Sequence, residues 1–286
     1  MKTKSNRIGD IKKFIHNELK NKYSNEEIKS FTNILFSSFA NLSSAHITAF
    51  EQETINESEL LKIYLAVEDL KKYKPIQYII GKVEFLNIDI EVNENVLIPR
   101  PETEELCQYI IQENKDKEVK IVDLCSGSGC ISLALAYNIK KSKVYGVDVS
   151  LKALELAKKN ANNLKLNVIY RQNDILDEGF DIEEDFDIIV SNPPYVRELE
   201  KKQMSENVLN YEPHLALFVK DENPLIFYEK IAQFAQKRLK KGGKIYLEVN
   251  NFLASETIAL FSEKEYVRRI VKDIFDKDRF IFLEKK

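Results

Sequence analysis

From about residue 119 onwards, short apolar runs alternate with segments of helical periodicity, and this alternation constrains the fold more than any other feature of the sequence. Short apolar runs of this kind are typical of buried strands. Strands that alternate with helices form a mostly parallel sheet with helices on both faces. Ligands of such sheets bind beyond the carboxyl ends of the strands, so we expect the functional residues there. The sequence predicts strands at 119–124, 143–148, 167–171, 186–191, 244–249, 266–273 and 279–284, with helices at 101–114, 129–139, 151–163, 224–240 and 254–263.

The first part of the chain has a different pattern and predicts helices only. Apolar residues recur at helical spacing from Ile8 to Leu19, and Ser24 with Glu27 has the form of a capping box at the start of the next helix. Residues 84–92 alternate polar and apolar side chains, which indicates a β-hairpin. We expect a helical domain over residues 1–74, a linker with a β-hairpin over 75–100 and an α/β domain over 101–286.

The composition excludes several classes of protein. The 43 Lys and Arg residues nearly balance the 46 Asp and Glu residues, whereas domains that bind nucleic acids through their charge are usually basic. Cys107, Cys125 and Cys130 lack the spacing of a zinc site or of a disulfide framework, so we expect no metal. No apolar signal-peptide core follows the basic start of the chain, and no apolar run is long enough to cross a bilayer. We expect a cytoplasmic protein that does not bind membranes.

Glycine is scarce, and two of the 8 glycines lie in the turn after the first strand of the predicted sheet. This turn, residues 125–129 (Cys-Ser-Gly-Ser-Gly), follows Asp123 and opens a helix, where unpaired N–H groups and missing side chains let a ligand approach. Asp148 ends the second strand, and Asp174 follows the third. Each acid alone is more often a helix cap or a turn former, but together they suit a ligand with an ammonium group, a ribose and an adenine. Ser132 stands where a dinucleotide fingerprint has Gly or Ala, which disfavours an oxidoreductase.

The fourth strand runs into residues 192–195 (Asn-Pro-Pro-Tyr), which predict a site for a planar nitrogen. An amide or exocyclic amine nitrogen is a poor nucleophile because its lone pair is delocalised. Two fixed acceptors can hold its N–H protons and direct the nitrogen at a methyl group. The side-chain oxygen of Asn192 and the carbonyl of Pro193 can be those acceptors, and Tyr195 can pack on the planar group. A rigid proline turn is the alternative interpretation of these residues.

Together these strand ends resemble the class I S-adenosylmethionine-dependent methyltransferases, and three further segments narrow the resemblance. Residues 75–85 are similar to a Pro-x-x-Tyr-Ile-x-Gly-x-x-Glu-Phe linker. Residues 97–105 are similar to a Leu-Ile-Pro-Arg-Pro-x-Thr-Glu segment, and residues 211–217 contain a Glu-Pro-x-x-Ala-Leu stretch. With the Asn-Pro-Pro-Tyr motif at residues 192–195, these segments make four motifs. Their order along the chain resembles that of the HemK-type peptide chain release factor glutamine methyltransferases, and the resemblance runs from about residue 60 to residue 285.

That resemblance implies an α/β fold with a Rossmann-like sheet of seven strands, S-adenosylmethionine as the methyl donor, and the glutamine of the Gly-Gly-Gln motif of peptide chain release factors as the acceptor. It implies that the helical domain recognises the substrate protein and that residues 101–286 form the methyltransferase domain. We expect a monomer with no nucleic-acid substrate. The resemblance also implies which residues bind the cofactor. Asp148 would bind the ribose, Asp174 and Ile175 would border the adenine, and Asn192 is a further cofactor-binding residue. The methionine part would be bound by Asp123, Cys125, Ser126, Gly127, Ser128 and Gly129. The catalytic residues implied are Asn192, Pro193, Pro194 and Tyr195.

Three positions depart from the family pattern. Cys125 stands where many members of the family have the first glycine of the turn. The turn can hold a small side chain at this position if the φ of the residue is negative. Ile175 replaces an aromatic residue that the family often has beside the adenine. The family usually has a glycine soon after Glu248, whereas this chain has Val249, Asn250 and Asn251. Three alternatives stay open: a ribosomal-protein glutamine methyltransferase, a nucleic-acid adenine N6-methyltransferase and a non-catalytic module of the same fold. The acidic balance disfavours the second, and the intact Asn-Pro-Pro-Tyr motif disfavours the third.

Overall fold

A computed structural model describes residues 5–286, so the first four residues of the predicted helical domain lie outside the described part of the chain. The chain forms two compact units. The first contains the residues up to Gly81 together with Glu206–Tyr211, and the second contains Lys82–Ser205 and Glu212–Lys286. The helices are α1 (Ile8–Leu19), α2 (Asn25–Ala40), α3 (Ser44–Ala49), α4 (Glu57–Leu70), α5 (Ile76–Ile80), α6 (Pro101–Asn114), α7 (Cys130–Asn138), α8 (Leu151–Leu164), α9 (Glu206–Tyr211), α10 (Ile226–Arg238) and α11 (Ala254–Ala259). The strands are β1 (Lys82–Phe85), β2 (Ile88–Glu91), β3 (Val119–Leu124), β4 (Ser142–Asp148), β5 (Val168–Gln172), β6 (Phe186–Ser191), β7 (Val196–Arg197), β8 (Phe218–Val219), β9 (Leu239–Glu248), β10 (Tyr266–Lys272) and β11 (Asp278–Lys285).

The first unit consists of helices around an apolar core. The apolar residues of α1 that recur at helical spacing are buried, and they form one cluster with the inner faces of α2 and α4. The predicted capping box is present, since Ser24 Oγ accepts the Glu27 N–H at 3.2 Å and the Glu27 carboxylate accepts the Ser24 N–H at 2.9 Å. The helices α5 and α9 were not predicted, because elements this short show too little periodicity to be recognised.

The second unit is built on a seven-stranded sheet with the strand order β10-β11-β9-β6-β3-β4-β5. The strands β3, β4, β5, β6 and β9 run parallel, and β11 pairs antiparallel with both β9 and β10. All seven predicted strands are present; α6 precedes the first of them in the chain, and α7, α8, α10 and α11 lie between them. The prediction of an α/β fold with a mostly parallel seven-stranded sheet is therefore confirmed.

The strand order determines where the functional residues meet. At the centre of the sheet, Leu124 at the end of β3 is paired with Ser191 of β6 on one side and with Val147 of β4 on the other. Because the carboxyl ends of parallel strands lie at one edge, the loops that follow these three residues come together there. The helices α7 and α8 begin at the same edge, so their unpaired amino-terminal N–H groups lie beside those loops.

One strand of the sheet is longer than predicted, and two short strands were not predicted. The strand β9 begins at Leu239, well before the predicted start at residue 244, so Gly242 and Gly243 lie within the strand. The start was missed because Lys240 and Lys241 interrupt the apolar pattern that identifies a strand. The two-residue strands β7 and β8, which pair in parallel, are too short to predict from sequence.

The predicted hairpin is formed by β1 and β2, with Phe85 paired to Ile88. Its two turn residues, Leu86 and Asn87, have φ values of 46° and 63°, as a tight hairpin turn requires. Among the helices described in residues 5–286, none combines the length and the apolar character that a membrane crossing needs.

Candidate active site

A cavity of about 280 Å³ lies at the carboxyl ends of β3, β4, β5 and β6, within the second unit. Its walls come from the turn after β3, from the strand ends, and from the segments before α6 and before β8. Most of the residues that the sequence predicts for the site therefore surround one space. Those that line it are Cys125, Ser126, Gly127, Ser128, Asp148, Asp174, Ile175, Asn192 and Pro194.

The turn after β3 is fixed to the tip of β4 by hydrogen bonds. The Ser126 N–H donates to the Val147 carbonyl at 2.9 Å, and the Gly127 N–H donates to Asp148 Oδ2 at 2.8 Å. The other Asp148 oxygen accepts the Ser150 N–H at 2.9 Å. A carboxylate oxygen has a second lone pair, so Asp148 can still accept hydrogen bonds from the hydroxyl groups of a ligand in the cavity that it lines. Burial raises the pKa of Asp148 above its usual value.

Cys125 adopts a backbone conformation that the sequence did not predict. Its φ is +65°, in the left-handed region, whereas a negative φ was the expected condition for a side chain at this position. The chain turns sharply there from β3 into the loop, and a non-glycine residue in this region stores on the order of 1–2 kcal/mol of strain. Burial raises the pKa of the thiol, so Cys125 is a neutral wall of the cavity.

Gly129 was predicted to let a ligand approach the backbone, but its neighbour in the structure is Tyr170. Gly129 does not line the cavity, and a Cβ atom built on it would lie 2.4 Å from the Tyr170 hydroxyl oxygen. A Cβ on Gly146 would lie 2.5 Å from carbons of the same ring. The Tyr170 hydroxyl also hydrogen-bonds to Ser132 Oγ at 3.0 Å. These two glycines therefore make room for the tyrosine that packs beneath the turn.

Asp123 lies beneath the turn and not in the wall of the cavity. Its side chain is fully buried, and Oδ2 accepts the Ser132 N–H at the start of α7 at 3.2 Å. Within the described part of the chain, the other carboxylate oxygen, Oδ1, has no hydrogen-bond partner. Burial raises the pKa of Asp123 to about 7. The unpartnered Oδ1 can accept one further hydrogen bond, beneath the turn and outside the wall of the cavity.

The raised pKa of Asp123 predicts how stability changes with pH. The folded protein keeps this proton up to about pH 7, whereas the unfolded chain releases it near its ordinary value of 3.8. The folded state binds more protons between these values, so the free energy of unfolding falls as pH rises through this window, by on the order of 4 kcal/mol. In Asp123→Asn this part of the pH dependence should be absent, as measured by urea unfolding followed by circular dichroism at pH 5 and pH 8. An exposed control, Asp116→Asn, should keep it; equal slopes in all three proteins would contradict the assignment.

Residues 192–195 border a second, smaller cavity of about 50 Å³. Asn192, Pro193 and Tyr195 line it, and Asn192 also lines the larger cavity. Asn192 thus stands in the wall that the two cavities share. Arg100 is likewise common to both.

Both ends of this loop are connected to one buried carboxylate that the sequence did not indicate as functional. Asn192 Nδ2 donates to Thr103 Oγ1 at 3.1 Å, and the Thr103 hydroxyl donates to Glu248 Oε2 at 2.7 Å. The Tyr195 hydroxyl donates to Glu248 Oε1 at 3.0 Å. Burial raises the pKa of Glu248 above its usual value. Thr103 lies in a motif segment noted in the sequence, but nothing local connects it with Glu248, 145 residues away.

Two further buried residues, Asn250 and Glu212, connect the segments around the site. Asn250 is buried, and its Nδ2 donates to the Tyr195 carbonyl at 3.2 Å and to Glu200 at 2.9 Å. Glu212 is also buried, and it accepts from Arg100 at 2.5 Å and from the Ile98 N–H at 3.2 Å. The segments around residues 97–105 and 212–217, which the sequence identifies as separate motifs, therefore meet at the cavity.

Comparison with known proteins shows which family and which fold this chain is similar to. The family model described as "Methyltransferase small domain" matches residues 103–214. A methyltransferase from Pyrococcus furiosus has a similar fold, with a TM-score of 0.51 and 19% identity over 70% of this chain and 89% of that one.

Relatives of known name are similar over nearly the whole chain. A release factor glutamine methyltransferase from Flavobacterium psychrophilum is 43% identical over 264 residues, which are 91% of this chain and 92% of that protein. Proteins of the same name from Bacteroides thetaiotaomicron and Streptococcus pneumoniae are 38% and 40% identical, over 95% and 91% of this chain and 98% and 92% of those proteins. Identity at this level over this length, together with the ordered motifs around one cavity, shows that the chain belongs to the release factor glutamine methyltransferase family.

Proposed function

We propose that this chain transfers a methyl group from S-adenosylmethionine to the side-chain amide nitrogen of the glutamine in the Gly-Gly-Gln motif of peptide chain release factors. The observation that carries the proposal is the position of Asn192 in the wall between two cavities. The larger cavity has the lining that an adenosyl ligand needs, and the smaller one is lined by the Asn-Pro-Pro-Tyr loop. A planar amide that enters the smaller cavity meets the other reactant at Asn192.

The lining of the larger cavity fits S-adenosylmethionine, which supplies a methyl group on a sulfonium sulfur when it is bound. The turn at residues 125–128 presents backbone with small side chains, and Asp148 at the tip of β4 can accept the ribose hydroxyls. Asp174 and Ile175 border the place for the adenine, where Ile175 offers an apolar surface in place of an aromatic ring. The free Oδ1 of Asp123 beneath the turn suits the ammonium group of the methionine part.

The residues of the smaller cavity are suited to hold a carboxamide. The side-chain oxygen of Asn192 and the carbonyl oxygen of Pro193 are two acceptors for the two N–H protons of a glutamine amide. Pro193 and Pro194 stiffen the loop, and its last residue is held by the bond from Tyr195 to Glu248. Held in this way, the nitrogen lone pair can be aligned with a methyl group for in-line transfer, so catalysis needs mainly positioning and fixed dipoles. The nitrogen loses its proton after it gains the methyl group, so no general base is required before the transfer.

The choice of acceptor rests on the relatives, whose names state release factor glutamine as the group that they methylate. The release factor is then the partner protein, and the chain acts on it as a monomer in the cytoplasm. The helical unit is the part that recognises the release factor. In support, Leu61 and Leu65 lie one turn apart on α4 and are about half exposed, as apolar contacts for another protein should be.

The test is an acceptor screen with the purified chain and S-adenosylmethionine labelled in the methyl group. Intact release factor should be labelled, and a release factor with Gln→Ala in its Gly-Gly-Gln motif should not. Ribosomal proteins and DNA oligonucleotides serve as comparison acceptors in the same screen. Labelling of either of these without labelling of the release factor would overturn the proposal.

A further inference from the structure

The chain of hydrogen bonds behind Asn192 has a direction that the chemistry of its members determines. Glu248 is a buried carboxylate, and each of its two oxygens accepts a hydrogen bond from a hydroxyl group, Oε1 from Tyr195 and Oε2 from Thr103. The Thr103 hydroxyl has a single proton and gives it to Glu248 Oε2 at 2.7 Å. The Thr103 oxygen can therefore only accept from its other neighbour. That neighbour is the side-chain nitrogen of Asn192, at 3.1 Å.

This direction decides which end of the Asn192 amide is available to a substrate. A carboxamide has its nitrogen and its oxygen on opposite branches of one planar group. When the nitrogen is held by Thr103, the oxygen points away from Thr103. If the amide were rotated by half a turn, the Asn192 oxygen would face the Thr103 oxygen with no proton between them. The rotated form would also present N–H groups where a substrate amide has its own N–H groups.

We infer that Thr103 and Glu248 are positioning residues that hold the Asn192 amide with its oxygen towards the substrate amide, and so select an acceptor that brings two N–H protons. This role rests on the proposed function, since it concerns the orientation of the group that would receive the glutamine. Neither residue lies in the Asn-Pro-Pro-Tyr motif. Thr103 is the third residue of α6, and Glu248 is the last residue of β9.

The same carboxylate holds the other end of the loop. Glu248 Oε1 accepts from the Tyr195 hydroxyl at 3.0 Å, while Oε2 accepts from Thr103. Glu248 therefore positions both ends of the loop, Tyr195 directly and Asn192 through Thr103. Both oxygens of Glu248 have donors, so its burial leaves neither of them unsatisfied. Loss of the Thr103 hydroxyl releases the Asn192 end and removes the donor to Glu248 Oε2, while the bond from Tyr195 remains. Thr103 is therefore the position at which the inference can be tested.

The experiment compares Thr103→Val with Thr103→Ser in the release-factor methylation assay. Valine has nearly the shape of threonine but no hydroxyl, so Asn192 loses its fixed orientation. We expect kcat to fall about ten-fold or more, the effect of losing one hydrogen bond that orients a reacting group. The KM for S-adenosylmethionine should stay close to that of the wild type. Thr103 lines the larger cavity, but valine keeps nearly the same shape there, and the turn at residues 125–128 and Asp148, which are assigned to the cofactor, are unchanged. Thr103→Ser keeps the hydroxyl and should restore most of kcat.

A second buried threonine provides a matched control. Thr257 of α11 is fully buried, and its hydroxyl donates to the Leu253 carbonyl within its own helix, away from both cavities. Thr257→Val should keep kcat and show only the general effect of removing a buried hydroxyl, which a thermal melt of each variant reports. Thr103→Ala replaces the valine variant if the latter does not fold.

The outcomes separate the inference from the proposed function. If the wild type does not methylate release factor, the proposed function fails. If the wild type is active and Thr103→Val retains its full kcat, the positioning role is wrong. It is also wrong if Thr103→Ser loses as much activity as Thr103→Val, or if Thr257→Val shows the same fall in kcat.

Discussion

Replacement of Asn192 by alanine is expected to abolish measurable methylation while cofactor binding remains largely intact. The side chain stands in the wall shared by the two cavities, and its oxygen is one of the two acceptors available to the substrate amide. Loss of a fixed polar group that acts on the reacting atoms commonly lowers kcat by about a hundred-fold or more. The turn at residues 125–128 and Asp148, which we assign to the cofactor, are untouched by this change. Turnover is measured with labelled S-adenosylmethionine, and cofactor affinity is measured by calorimetry.

A surface asparagine provides the comparison for this variant. Asn223 is exposed in the loop before α10, and Asn223→Ala should behave as the wild type in both measurements. If Asn192→Ala turned over at a rate near that of the wild type, Asn192 would not direct the amide. If it lost cofactor affinity and activity to the same extent, Asn192 would serve the cofactor and not the acceptor.

Most of the fold can be predicted from the sequence because its signals are local. The alternation of apolar strands and amphipathic helices after residue 119 identifies the sheet, and α6 begins and ends at the predicted residues. The elements that were missed carry weak local signals. The helices α5 and α9 span only five and six residues, and the start of β9 is obscured by lysines and glycines. That residues 206–211 pack with the helical unit depends on contacts far along the chain, which local periodicity does not contain.

The same distinction between local and distant signals applies to the site. Residues next to strand ends, such as Asp148, Asp174 and Asn192, could be placed at one edge because the order of the elements brings them there. All three line the cavity, and which ligand groups they contact stays a prediction. The link from Thr103 to Glu248 could not be predicted, since it joins residues 145 positions apart through their side chains.

Two local details of the turn also depend on the three-dimensional packing. The left-handed φ of Cys125 follows from the path of the chain between β3 and the loop, which residue type alone does not specify. Contact between the Gly129 backbone and the cofactor stays a prediction, but the missing side chain of Gly129 has a different neighbour. Its missing side chain was expected to serve a ligand, but the space is taken by Tyr170 from the strand β5. A pattern of glycines can therefore indicate close approach without showing what approaches.

This reassignment of Gly129 leads to a large expected loss of stability in Gly129→Ala. The new Cβ would lie 2.4 Å from the Tyr170 hydroxyl oxygen and 3.1 Å from the Ala157 Cβ, and the residue would hold a φ of +81°. The overlap in a packed interior and the left-handed backbone each destabilise the fold, together by about 2–5 kcal/mol. The free energy of unfolding, measured by urea denaturation followed by circular dichroism, should fall by this amount. Gly129→Ala with Tyr170→Phe should recover part of the loss, because the hydroxyl that meets the new methyl group is gone.

Two other glycines separate the contributions of packing and of backbone strain. A Cβ on Gly127 meets nothing within 4 Å, but its φ is +53°, so Gly127→Ala should lose only about 1–2 kcal/mol. Because Gly127 lines the cavity, the same variant should weaken cofactor binding more than it weakens the fold. Gly179 has neither a close neighbour nor a left-handed φ, so Gly179→Ala should change stability by less than about 0.5 kcal/mol. If Gly129→Ala were no less stable than Gly127→Ala, or if removal of the Tyr170 hydroxyl recovered nothing, then contact with Tyr170 would not be the reason that Gly129 must lack a side chain.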